Sequence, residues 1–107
     1  MINADTFRKL ALSFPDTDEH PHFERAAFRV NKKIFATLHE AKHQGMVILT
    51  PADQSVYCDF DPASFSPVPG TWGAKGSTFV DLKKVKKEVL KEAMTLAYGE
   101  RLTKKKK

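Results

Sequence analysis

The sequence lacks several features by which proteins are often classified, and each absence excludes a class. Cys58 is the only cysteine among 107 residues, so no intramolecular disulfide can form, and a disulfide-stabilised secreted fold is excluded. The longest apolar run, residues 46–49, is far shorter than the roughly 20 residues that cross a bilayer. Charged residues interrupt residues 1–12, which therefore predict a helix and not a signal peptide. We expect a cytoplasmic protein with no membrane partner.

The composition is that of one globular domain. Apolar residues make up 41% of the chain and include eight Phe, whose large side chains dominate the energetics of a core. A chain of this length buries roughly two-thirds of its surface on folding, so we expect it to fold without a metal, a cofactor or a disulfide. We assign residues 1–103 to a single domain and residues 104–107 to a disordered basic tail.

The first half of the chain predicts one helix and three strands. Residues 4–14 carry apolar side chains at helical spacing, with Asn3 or Asp5 available as the cap. Residues 15–22 show no periodicity and predict a polar connector. Residues 23–30 and 33–38 form a β-hairpin around Asn31-Lys32, because Asn tolerates the positive φ of a tight turn. The apolar run at residues 46–49 predicts a central strand buried on both faces.

The second half predicts two helices and a further strand. Thr50 and Pro51 are typical of the cap and first position of a short helix that ends near Phe60. Prolines and glycines in residues 61–76 indicate a loop with at most a short edge strand. The side chains of residues 77–82 alternate between two faces, which predicts the last strand. The final helix spans residues 84–98, with Gly99 just after its end. Its apolar stripe comprises Val85, Val89, Ala93, Leu96 and Ala97.

Three segments together resemble a known family. They are Pro15 with Glu19, the stretch from Phe28 to Ala36, and the stretch from Trp72 to Leu82 before an amphipathic helix. In this order and spacing they are similar to the MmcQ/YjbR family of small bacterial proteins over nearly the whole chain. The resemblance implies an α+β fold of two layers, in which an antiparallel sheet packs on helices in the order α-β-β-β-α-β-β-α, as in secretion chaperones. It also implies a DNA-binding role, by analogy of fold.

Two segments resemble metal sites, but neither favours one strongly. His39-Glu40-Ala41-Lys42-His43 matches the zinc-protease pattern H-E-x-x-H, which requires both histidines on one face of a helix. Here the segment lies between two strands, so a chance match in an exposed turn is the better interpretation. Asp18, Glu19, His20 and His22 lack a closed ligand set and are better explained as a solvated connector. We expect no metal.

Two further positions carry side chains that could take part in chemistry. Cys58 with a remote His could form a nucleophile and base, but a lone Cys in a short helix is more often a small buried hydrophobe. Residues 70–76 contain three glycines, Trp72 and Lys75, which would suit contact with an anionic ligand. Packing of Trp72 over the sheet is the interpretation we favour there, with a small-molecule pocket at Trp72 and Lys75 as the other. We predict no catalytic residue and no enzyme.

The charge is unevenly distributed along the chain. Residues 83–107 carry ten Lys or Arg against three Glu, whereas the preceding residues are slightly acidic. A solvated helix face explains this pattern as well as a surface that contacts phosphates does. The basic residues that we expect to contact nucleic acid are Lys83, Lys84, Lys86, Lys87, Lys91, Arg101, Lys104, Lys105, Lys106 and Lys107.

These observations favour a monomeric, non-enzymatic protein that binds nucleic acid weakly through phosphates, with little sequence preference and a strong dependence on salt. The alternative is an adaptor or chaperone-like module that binds a protein partner through its sheet. No set of base-reading side chains on a recognition helix is visible, so the sequence does not predict recognition of a specific operator.

Overall fold

The computed structural model describes residues 2–22 and 24–104 and has an α+β architecture, which confirms the predicted fold class. Its helices are α1 (Ala4–Leu12), α2 (Pro51–Phe60), α3 (Thr71–Ala74) and α4 (Lys87–Lys104), with a 3-10 turn at Glu40–Lys42. Its strands are β1 (Thr17–His22), β2 (Arg25–Val30), β3 (Lys33–His39), β4 (Gln44–Ile48), β5 (Phe65–Pro67) and β6 (Ser77–Asp81). All neighbouring strands are antiparallel, in the order β1-β2-β3-β4-β6-β5.

The predicted connector at residues 15–22 is wrong, because most of it forms β1. This strand pairs with β2 along its whole length, from Thr17 opposite Val30 to His22 opposite Arg25. It lies at an edge of the sheet, where side chains on both faces stay polar and no apolar alternation is needed. The periodicity that identifies an amphipathic strand is therefore missing from its sequence.

The two predicted helix starts and the hairpin turn are confirmed. Asn3 Oδ1 accepts from the Thr6 N–H at 2.8 Å, and Thr50 Oγ1 accepts from the Asp53 N–H at 3.1 Å. Asn31 and Lys32 have φ values of 53° and 65°, the left-handed pair that a two-residue hairpin requires. The first helix ends at Leu12, two residues earlier than the sequence predicted.

A β-bulge in β3 decides which side chains face the helices. Phe28 pairs with Ala36, but the next residue, Arg29, pairs with Ile34, so Phe35 is an extra residue on β3. Phe35 and Ala36 are both fully buried in the core. Beyond the bulge, Leu38 also belongs to the core cluster, and Thr37 faces the opposite side of the sheet.

The core lies between one face of the sheet and helices α1 and α4. Val85, Ala93 and Ala97 of the predicted stripe are buried, but Leu96 is 40% exposed, and Leu90 and Met94 are fully buried instead. The prediction for Leu96 is wrong because α4 begins at Lys87 and Val85 packs from the preceding turn. A stripe counted from Val85 therefore runs out of phase with the helix.

The last helix continues past Gly99, so the predicted helix end there is wrong. The Tyr98 hydroxyl donates to the Pro15 carbonyl at 2.8 Å, and Arg101 Nε donates to the Ile34 carbonyl at 2.9 Å. These bonds attach the last turns of α4 to the sheet, and the helix ends at Lys104. The rest of the predicted tail, residues 105–107, lies outside the described residues.

No helix among residues 2–22 and 24–104 has both the length and the apolar character needed to cross a bilayer.

Candidate binding groove

The face of the sheet opposite α1 and α4 forms an open groove with a volume of about 920 Å³. Its floor is built by alternate residues of the central strands, mainly Ile34, Thr37, Met46, Ile48 and Phe79. Thr37 lies opposite Met46, and Met46 lies opposite Phe79, so these side chains form a row across the sheet. The groove thus has an apolar and aromatic floor that none of the described helices covers.

The apolar run at residues 46–49 predicted a strand buried on both faces. This prediction is wrong, because one face of the central strand β4 lines the groove. Val47 is fully buried on the helix side, and Leu49 just beyond the strand is 2% exposed. Met46 and Ile48 are only half-buried and line the groove. An apolar run is typical of a two-sided core, but here one side lines an open groove.

The rim of the groove is strongly basic. Among the described lining residues, Glu24 is the one acid. Lys32 and Lys33 come from the hairpin turn, and Arg101 comes from the last turn of α4. The remaining cations of the lining and its histidines are Arg25, Lys42, His22 and His39.

Trp72 lies at the edge of the groove and is 69% exposed, so its predicted packing in the core is wrong. The short helix α3 packs through Gly73, whose position leaves no room for a Cβ against the Val68 carbonyl. Gln54 Nε2 also donates to the Gly73 carbonyl at 2.9 Å. The indole consequently faces solvent, and Lys75 Nζ lies 5.8 Å from its ring centroid.

Three polar side-chain atoms on the floor are buried and have no hydrogen-bond partner within the described part of the chain: Thr37 Oγ1, His39 Nδ1 and Arg25 Nη1. Thr37 is 3% exposed and His39 is 8% exposed. The other groups of these side chains are partnered only loosely. Arg25 Nη2 donates to Gln44 Oε1 at 3.4 Å, and His39 Nε2 lies 3.4 Å from Glu24 Oε1. Buried polar groups usually find a partner, so this cluster is unusual.

The H-E-x-x-H segment does not have the geometry of a zinc protease. His39 is the last residue of β3, a 3-10 turn follows, and His43 has a left-handed φ of 51°. The two histidines therefore do not project from one face of an α-helix. Residues 2–22 and 24–104 contain no group of three or more His, Cys, Asp or Glu placed to hold a metal ion.

The acidic and histidine residues of β1 lie on both faces of the strand and do not form one cluster. Glu19 turns toward α1 and accepts from Arg8 Nε at 3.0 Å. Asp18 is on the other face and accepts from Arg29 Nε at 3.0 Å, where Arg29 also contacts His20. The hydrogen bond and charge of Arg29 lower the pKa of the Asp18 carboxyl. These groups are engaged in ion pairs between secondary-structure elements.

Cys58 is half-buried and packs against the core. Burial, together with the charge of Asp59, raises the pKa of its thiol, which disfavours the thiolate that a nucleophile requires. The environment is that of a packing residue.

The predicted basic residues lie in two places. Lys83, Lys84 and Lys86 precede α4, Lys87 and Lys91 lie on its first turns, and all five are exposed. Arg101 and Lys104 lie at the other end of the helix, roughly 25 Å away along its axis. Lys105, Lys106 and Lys107 lie outside the described residues.

The two basic clusters differ in their relation to the groove. The Leu82 N–H donates to the His43 carbonyl at 3.0 Å, which places the Lys83 turn beside the 3-10 turn that carries Lys42. Arg101 lines the groove beside Ile34 at the other end. Among the described C-terminal cations, Arg101 is therefore the one that lines this surface, which the sequence analysis did not identify.

Sequence reasoning missed the groove cations Arg25, Lys32, Lys33 and Lys42, as well as Phe79. Two adjacent lysines after an Asn turn were a readable signal for a basic hairpin tip. No local pattern could place Arg25 beside His39, because that neighbourhood depends on the bulge in β3.

Comparison with known proteins gives a consistent picture. A model of the YjbR family matches residues 12–100. The crystal structure of Deinococcus radiodurans protein DR2400, a DUF419 domain, has the same fold with a TM-score of 0.79. It is 20% identical in sequence, and the match covers 92% of this chain and 77% of that chain. No curated protein matches the chain.

Proposed function

The chain belongs to the YjbR family, and we propose that it is a non-enzymatic protein that binds single-stranded nucleic acid in the groove on its open sheet face. The observation that carries the proposal is the combination of an uncovered apolar and aromatic floor with a basic rim. Among the described lining residues, one is an acid. Single-strand binding surfaces combine these same two elements, a positively charged groove and aromatic platforms for bases.

The rim supplies the contacts to phosphates. Lys32 and Lys33 are exposed at one end of the groove, and Lys42 is exposed at the other. The exposed lysines at residues 83–87 follow the turn beside the Lys42 end and are not among the described residues that line the groove. Because such contacts release counterions, affinity falls with salt by roughly 0.7 log unit per decade for each phosphate contacted on a single strand.

Trp72 and Phe79 supply the contacts to bases. Trp72 is 69% exposed at the edge of the groove, and Phe79 lies half-buried on its floor. A base that stacks on an aromatic side chain contributes roughly 1–3 kcal/mol. In a duplex the base faces are already stacked on one another and cannot reach such a floor, so we expect single strands to bind more tightly than duplexes.

The apolar floor also favours a second candidate, a protein partner bound on the sheet face. Both edges of the sheet argue against partner binding by strand addition. β1 carries charged side chains and Pro21, while β5 is only three residues long and ends at Pro67. Prolines and charges at sheet edges disfavour pairing with another strand.

The test is a salt titration of binding to a fluorescent 12-nucleotide single strand and to the matching duplex. We expect the single strand to bind more tightly, and Trp72→Ala to lower its affinity about tenfold or more. Because Trp72 is exposed, this substitution should leave the free energy of unfolding within about 0.5 kcal/mol of wild type. The double substitution of Lys32 and Lys33 to Gln should reduce the salt slope by roughly 1.4.

Lys9 provides a matched control, since it is exposed on α1 on the opposite layer from the groove. Lys9→Gln should leave both affinity and salt slope nearly unchanged. A chain that ends at Thr103 separates the tail lysines from the domain, and we expect it to keep the groove-dependent binding. Binding that is lost with the tail alone, or an absence of binding to any strand, would reject the proposal and favour the protein partner.

A further inference from the structure

We propose that Arg25, Thr37 and His39 on the floor of the groove form a site for a phosphate monoester, and that the protein thereby prefers strands that carry a terminal phosphate. This inference rests on the proposed function, and it assigns the ligand group that enters the deepest part of the groove. The basic rim then holds the phosphodiesters that follow.

The backbone brings the three side chains together. Thr37 and His39 are two residues apart on β3 and face the groove side by side. Ala26 pairs with Leu38. Because the strands are antiparallel, Arg25, which precedes Ala26, lies beside His39, which follows Leu38. Facing side chains on paired strands have Cβ atoms roughly 5 Å apart. The three polar groups therefore converge on one small area.

The chemistry of the unpaired atoms suits a phosphate. Arg25 Nη1 is a donor, the Thr37 hydroxyl can donate or accept, and His39 Nδ1 donates or accepts according to its tautomer. A phosphate monoester has three terminal oxygens and a second pKa near 6, so it can both accept hydrogen bonds and, when singly charged, donate one. It can thus satisfy all three atoms together, and guanidinium groups bind phosphate with favourable geometry.

The depth of the site selects a strand end. Thr37 and His39 are more than nine-tenths buried, whereas an internal phosphodiester carries a nucleoside on each side and has only two free oxygens. A terminal phosphate has a third oxygen and no second nucleoside to exclude. Its charge of roughly −1.5 to −2 at neutral pH also exceeds that of a phosphodiester.

The Arg25 side chain is held over the floor by long contacts and can move toward a bound phosphate. Its guanidinium reaches across the floor toward Gln44 and lies 5.8 Å from the ring of Phe79. The 3.4 Å hydrogen bond to Gln44 is long, so little free energy opposes rotation of the side chain. We expect the guanidinium to turn toward the incoming phosphate.

The experiment compares the same 10-nucleotide strand with a 5′-phosphate, with a 3′-phosphate and with hydroxyls at both ends, at fixed ionic strength. A terminal phosphate should tighten binding about tenfold, as expected for charge-assisted hydrogen bonds. Thr37→Val removes the hydroxyl and keeps the shape, so it should abolish the difference in affinity between the phosphorylated strands and the hydroxyl strand. The control Lys33→Gln should weaken all three strands equally. Equal affinity for all three strands in wild type would overturn the inference.

A second arm separates failure of this site from failure of the proposed function. It follows the amide and side-chain NMR signals of Thr37 and His39 during titration with a nucleoside 5′-monophosphate and with the unphosphorylated nucleoside. Shifts caused by the monophosphate alone support the phosphate site even if no oligonucleotide binds, a result that would reject only the wider function. Absence of such shifts, with oligonucleotides bound equally, would reject the site and keep the function.

Discussion

Gly45 should tolerate no side chain, because the ring of Phe7 occupies the space where a Cβ would be. Gly45 lies on β4 between Leu38 and Val80, on the face that packs against α1. A Cβ built there would approach Phe7 Cε2 to 2.5 Å, about 1 Å closer than ordinary van der Waals contact. Phe7 is fully buried and its centroid lies 5.8 Å from that of Phe28, so the ring has little room to move.

The expected cost of Gly45→Ala follows from two opposing effects. Inserting a methyl group into a well-packed core costs about 1–3 kcal/mol. Replacing Gly restricts the unfolded chain and returns roughly 0.5–1 kcal/mol. Taking the middle of each range, we therefore expect Gly45→Ala to lower the free energy of unfolding by about 1 kcal/mol. The double variant with Phe7→Leu should show a favourable coupling energy, since the smaller side chain relieves the contact.

Gly99 supplies the matched control for this prediction. It lies inside α4, and a Cβ there would meet nothing within 4 Å. Gly99→Ala should therefore raise the free energy of unfolding by about 0.5–1 kcal/mol through helix propensity. Urea denaturation followed by far-UV circular dichroism measures both variants, and a change of 1 kcal/mol moves the midpoint by roughly 0.5–1 M. If Gly45→Ala were as stable as wild type, the packing of Phe7 against β4 would be refuted.

Three further predictions concern single interactions. The Tyr57 hydroxyl donates to Glu92 Oε1 at 2.6 Å, and since Glu92 is exposed, Tyr57→Phe should cost only about 1 kcal/mol in thermal or urea unfolding. Burial and Glu92 raise the pKa of this tyrosine, so its phenol should titrate at a higher pH than an ordinary tyrosine in a spectrophotometric titration. Thr50→Ala removes the cap of α2 and should destabilise the protein by about 1 kcal/mol, with Thr50→Ser close to wild type in the same assay. Arg29→Gln should raise the pKa of Asp18, measured by NMR, toward its ordinary value, because Arg29 lowers it. The stabilisation from this ion pair is present above the ordinary aspartate pKa and is lost as the pH falls through the lowered pKa of Asp18. An unchanged Asp18 titration in Arg29→Gln would contradict the assignment.

The parts of the fold that the sequence predicted are those with local signals. The caps at Asn3 and Thr50 and the turn at Asn31-Lys32 depend on side-chain chemistry within three residues. β1 was missed because an edge strand of polar residues has no periodicity to detect. The helix end at Gly99 was misplaced because long-range hydrogen bonds from Tyr98 and Arg101 hold the next turn in place.

The candidate site was less accessible to sequence reasoning than the fold. The C-terminal lysines were visible as a run of charge, and Arg101 was among the candidates but could not be placed in space. Trp72 was assigned to the core because a single Trp in a small domain is usually buried. Its exposure depends on Gly73, which alone fits against the Val68 carbonyl. Which face of the sheet is left open depends on how the helices pack, and no short motif encodes that.

Because Phe35 is an extra residue, the alternation of side chains between the two faces of the sheet shifts by one residue along β3. In front of it the even-numbered residue Ile34 faces the groove, and behind it the odd-numbered residues Thr37 and His39 do. Removing one residue at this point would turn both polar side chains into the hydrophobic layer and expel Leu38 from it. Insertions and deletions in β3 should therefore be far less tolerable than substitutions, and chain length at this position is itself part of what defines the surface.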